Sequence, residues 1–128
     1  MRKLFAGLSA VLLLLVAAQF FFAAAGAFSY EAYRPHHVLG YVIFSVPIVM
    51  AIVAALAKLP GRVIGMTLAI SALVGLEVLI AVTAKAVGEL AGALVFGLHA
   101  LVGMAIMGIA VAILRAVRPP AAAEARTA

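Results

Sequence analysis

Four long apolar runs constrain this chain more than any other feature. They cover about residues 4–28, 35–57, 63–84 and 91–114. A helix rises about 1.5 Å per residue, so about 20 apolar residues cross the hydrocarbon of a bilayer. Each run reaches that length. The connections at 29–34, 58–62 and 85–90 are short. Short connections make sequential helices antiparallel neighbours. The expectation is an all-α membrane protein, a four-transmembrane-helix up-down bundle. Residues 1–118 form its single domain, and Pro119-Pro120 opens an Ala-rich tail, 119–128, expected to be disordered.

Composition excludes the alternatives. Apolar residues make up 69% and charged residues 10%, against about 45–50% and about 25% in a soluble domain. The net charge of +5 does not indicate nucleic acid, because the basic residues stand singly or in pairs at the ends of apolar runs. Cysteine and aspartate are absent, which removes disulfides, thiolate metal sites and CxxCH haem attachment. No P-loop, GxSxG or HExxH motif is present, so an enzymatic role has no motif behind it. A redox role follows only if a haem is bound.

Basic residues set the direction of the spans. One side carries Arg2, Lys3, Lys58, Arg62, Arg115, Arg118 and Arg126; the other carries Arg34 and Lys85. This bias predicts both termini on the cytoplasmic side. Met1-Arg2-Lys3 resembles the start of a signal peptide, and the Ala-rich stretch 23–27 could supply a cleavage site. The apolar run before it exceeds the usual h-region of about 7–15 residues, so a retained first helix is expected. Pro47 lies mid-way along the second run and predicts a kink there. Small pairs such as Gly65/Ala69, Ser71/Gly75 and Ala93/Gly97 allow close helix approach.

Polar side chains within such runs are the best functional pointers, since lipid penalises them. Counted from the cytoplasmic boundary, Gln19, Glu77 and His99 each lie roughly 6–7 Å inside the outer boundary. His37 falls at that boundary, with Tyr41 one turn deeper on the same face. Gln19, Tyr41, Glu77 and His99 thus form one candidate polar layer in the outer leaflet.

Three chemistries suit it. Two histidines on different helices, His37 or His36 with His99, could ligate a b-type haem, with Gly40 and Gly103 leaving room for the macrocycle. His37, Glu77 and His99 could hold zinc or copper. A protonated Glu77 beside His99 could instead bind a proton-coupled ligand or a quinone-like head group. The short loops and missing motifs also suit a non-catalytic accessory or assembly module, packed in a larger membrane complex or a homo-oligomer.

The sequences Gln19-Phe20-Phe21-Phe22-Ala23-Ala24-Ala25-Gly26, Pro35-His36-His37-Val38-Leu39-Gly40-Tyr41 and Gly97-Leu98-His99-Ala100 resemble a family of small four-helix bacterial membrane proteins classed as a domain of unknown function. That resemblance implies a multi-pass protein of a bacterial inner membrane and names no activity. More loosely, the start of the second run is similar to transmembrane four-helix b-type cytochromes. Carried over, this implicates His37 or His36, and His99, as haem ligands; the chain has three histidines where those cytochromes carry more.

Overall fold

A computed structural model describes residues 1–117. The expected tail, with Arg118, Arg126 and Pro119-Pro120, lies outside them. Four helices make up the described chain: α1 (Arg2–Gly26), α2 (Tyr30–Leu56), α3 (Gly61–Ala86) and α4 (Glu89–Val117). Each is long and apolar enough to cross a membrane. Outward faces carry Leu14, Phe21, Ile52, Val78 and Leu101, all exposed. Such surface is costly in water and ordinary in lipid.

Each helix starts before its apolar run. The largest difference is α2, which starts at Tyr30, with Ser29 in the extended N-cap conformation. Polar residues Tyr30–Arg34 therefore form a helical turn rather than a loop, and Pro35 lies inside the helix. The chain turns between helices are correspondingly tight. At the end of α2, Leu59 N–H donates to the Ala54 carbonyl (2.9 Å) and Lys58 N–H to the Ala55 carbonyl (3.0 Å). This is a Schellman cap, and its left-handed position is held by Lys58 (φ 53°).

Packing runs α1–α2–α3–α4 and back to α1, leaving α1/α3 and α2/α4 as diagonals. One stripe per helix faces the axis at alternating three- and four-residue steps. In α1 it is Phe5, Ser9, Leu12, Val16; in α2, Ile43, Pro47, Met50, Ala54; in α3, Val63, Thr67, Ile70; in α4, Ile106, Ala110, Ile113. That spacing keeps one face inward over several turns. The buried hydroxyls are satisfied locally: Ser9 donates to the Phe5 carbonyl (2.8 Å) and Thr67 to that of Ile64 (2.7 Å). Ser71 instead crosses to the Phe44 carbonyl of α2 (2.7 Å), in the turn that Pro47 disrupts.

The α3–α4 corner depends on Gly88, at φ 89°, and on Gly92, where a Cβ would run into the Ala84 carbonyl. A backbone atom cannot swing aside as a side chain can. Gly92→Val is therefore expected to destabilise the bundle by about 1–3 kcal/mol. A lowered thermal midpoint in detergent, against an unchanged midpoint for Gly108→Val at an open position, checks this.

Candidate functional site

Extending each inward stripe toward the Ser29/Gly88 end leads to a polar residue. One step beyond Val16 stands Gln19; beyond Val74, Glu77; before Gly103, His99; before Gly40, His36. All four line a cavity of about 430 Å³, whose remaining wall is mostly apolar and includes Val16, Ile43, Val74 and Ile106. A space of this size, apolar with a few convergent polar groups, is typical of small-molecule sites.

The polar groups pair within hairpins. In the α1–α2 hairpin, His36 Nδ1–H donates to the backbone carbonyl of Gln19 at 3.1 Å. The Gln19 amide N–H then faces His36 Nε2 at 3.4 Å, a long contact. In the α3–α4 hairpin, His99 Nδ1–H donates to the backbone carbonyl of Glu77 at 3.3 Å. The Glu77 carboxyl oxygen Oε2 also lies against this Nδ1. Gln19 Oε1 has no donor. The two hairpins thus use the same device: a carbonyl on the rising helix fixes the Nδ1–H tautomer of a histidine on the returning one. Each Nε2 keeps its lone pair.

The likeness extends along the returning helices. Tyr33 stacks on His36 (4.9 Å between ring centroids, 16° between planes), and Phe96 stacks on His99 (4.9 Å, 10°). Each histidine is followed four residues later by a glycine that lines the cavity, Gly40 and Gly103. A Cβ at Gly103 would press on Phe20 at 3.2 Å, and one at Gly40 would meet the Gln19 amide at 3.6 Å. Aromatic-x-x-His-x-x-x-Gly therefore occurs twice, at 33–40 and 96–103. Although α2 and α4 are diagonal, the His36 and His99 ring centroids are 6.2 Å apart, with 46° between planes.

Of the residues expected to form the site, Gln19, His36, Glu77 and His99 come together in the structure. His37 and Tyr41 are on the other face of α2. His37 is exposed, edge-on to Tyr33 at 4.8 Å, and Tyr41 is 77% exposed. The cause is helix phase: residues 36, 40, 43 and 47 share the inward face, so 37 and 41 point out. Of the two histidines left open by the sequence, His36 faces the cavity and His37 does not. The set His37, Glu77 and His99 is not assembled, and no group of three His, Asp or Glu among the described residues could hold a metal ion. Tyr33 and Phe96 were missed; the repeated aromatic-to-histidine spacing was the signal for both.

Residues 19–84 match the family of unknown function DUF6220. The chain belongs to that family. The matched segment holds Gln19, His36 and Glu77, and ends before His99. Family membership brings an uncharacterised small helical protein and no cofactor or activity. No curated protein and no solved structure matches the chain.

Proposed function

We propose that this DUF6220 member is a multi-pass membrane protein that binds one b-type haem between His36 and His99. The supporting observation is the pair of imidazoles, each fixed through Nδ1, with ring centroids 6.2 Å apart. Two metal–nitrogen bonds of about 2 Å and two ring radii span about 6 Å. Two protein ligands are too few for zinc, which takes three or four. They suit an iron whose equatorial positions come from a macrocycle. Gly40 and Gly103 add no side chain of their own to the cavity wall, where Gln19 and Phe20 pack over them, and Val16, Ile43, Val74 and Ile106 supply apolar walls.

The Glu77–His99 contact matches the outer-shell carboxylate that orients a metal-bound histidine. Gln19 departs from this pattern, since its amide N–H occupies the Nε2 side of His36 and must yield on ligation. A bound haem would supply one-electron transfer. His36 and His99 would hold it, Glu77 and the Gln19 carbonyl would orient those histidines, and the apolar wall would exclude water. Expression with haem precursor, followed by pyridine haemochrome assay of the purified protein, is expected to give one haem per chain. No haem would overturn the reading.

The unpartnered acceptor Gln19 Oε1 favours a second reading, a ligand with a hydroxyl donor such as a quinol-like head group. That reading predicts an extractable organic ligand and no visible absorbance. A packing module of a larger complex or oligomer predicts neither.

Direction is part of the proposal. Arg2, Lys3, Lys58, Arg62 and Arg115 lie at one end of the bundle, with no carboxylate among the described residues there; Arg34 and Lys85 share the other end with Glu31 and Glu89. This bias supports both termini facing the cytoplasm of a bacterial inner membrane, with the haem in the outer leaflet. Because the chain has no cysteine, single variants report cleanly. In intact cells an impermeant maleimide is expected to label Lys85→Cys and spare Lys58→Cys; the reverse pattern would invert the topology.

A further inference from the structure

At the end of the bundle away from the histidines, four cations surround a groove of about 1020 Å³. Arg2 and Lys3 come from α1, Arg62 from α3 and Arg115 from α4. The groove opens because α1 and α3 are diagonal and do not pack against each other. Among the described residues the ion pairs are Arg34–Glu31 and His99–Glu77, so none of these four cations has a carboxylate partner. A bias of basic residues toward one membrane face explains their presence at this end. It does not explain their convergence on one hollow, where they repel one another until an anion enters.

The backbone adds to the same field. Helices α1 and α3 both begin here, and neither has a side-chain cap. Their first-turn N–H groups and the positive ends of their dipoles face this end of the bundle. The groove is also partly apolar, with Met66 and Val111 in its wall. A free phosphate has no use for such a wall, whereas the glycerol and first methylenes of a lipid do.

We propose that this groove binds the phosphate of an anionic phospholipid headgroup, drawn from the leaflet at the Arg2/Arg115 end. The full chain is reconstituted in nanodiscs of phosphatidylcholine with added phosphatidylglycerol, and lipids retained after release are read by native mass spectrometry. Wild type is expected to prefer phosphatidylglycerol by about tenfold or more, from at least two basic contacts. Arg62→Gln with Arg115→Gln is expected to lose that preference, and Arg62→Lys with Arg115→Lys to keep most of it. Equal retention of the two lipids, or a preference unchanged in the glutamine pair, overturns the proposal. Displacement of the lipid by inorganic phosphate makes free phosphate the ligand and overturns the lipid assignment; retention supports it. If the glutamine pair fails to fold, salt decides. A wild-type preference that falls as salt rises supports the site, and a salt-insensitive one overturns it. Haem content plays no part in this readout, so the two proposals fail separately.

Discussion

If the proposed haem is bound, His99→Ala and His36→Ala are each expected to leave the purified protein without a stable haem, and His37→Ala to keep full occupancy. The difference rests on helix phase. His36 is buried on the cavity wall and His37 is exposed one residue later. Removing either inward imidazole takes away one of two Nε2 lone pairs, and no third histidine exists to replace it except His37 on the wrong face. The remaining histidine could hold an iron only from one side, in a cavity that no longer grips it. An expected fall in haem content of at least about tenfold corresponds to about 1.4 kcal/mol, a modest demand on the loss of a metal–ligand bond. Equal loss in all three variants would mean a general folding defect. Loss in His37→Ala alone would place the ligand on the outer face of α2 and contradict the arrangement.

The second large effect is expected at Glu77. Its carbonyl and carboxylate both meet His99 Nδ1, so toward a haem it would act as a positioning residue, not a ligand. Loss of such outer-shell partners typically weakens metal binding by about 10–100-fold. Glu77→Ala is expected to lower haem affinity within that range, and Glu77→Gln to recover part of it by refilling the space. Potential separates this from simple loss of packing. A carboxylate beside Nδ1 makes the imidazole a stronger donor and favours the oxidised iron. Glu77→Gln should therefore raise the midpoint potential, whereas Gln19→Ala, on the neutral side, should move it less. Unchanged potential in Glu77→Gln would confine Glu77 to packing.

Much of this architecture is legible in the sequence because lipid imposes simple rules. Backbone groups must be paired internally, so the four apolar runs can only be helices, and tight connections make them antiparallel. The level shared by Gln19, Glu77 and His99 was legible for the same reason, as a count of residues along straight helices. What was misread was rotation about the helix axis. Taking Pro35 as the start of α2 left His36 and His37 unphased, because a helix's first turn carries no stripe of its own. The inward series Ala54, Met50, Pro47, Ile43, Gly40 carried backward arrives at His36 and then Tyr33, and it passes over His37 and Tyr41. Hydropathy could not supply that phase, since the lipid-facing side of α2 is as apolar as its core. Tyr33 and Phe96 escaped notice because an aromatic near a membrane boundary has an ordinary interfacial explanation. Only the second copy of the spacing, on the diagonally opposite helix, gives it meaning.

On the proposed reading, His36 and His99 would both ligate one haem iron. Electron paramagnetic resonance of the oxidised, haem-loaded wild-type protein tests it most directly. Two imidazole ligands are expected to give a low-spin, six-coordinate signal. A high-spin, five-coordinate signal in the wild type would contradict the account.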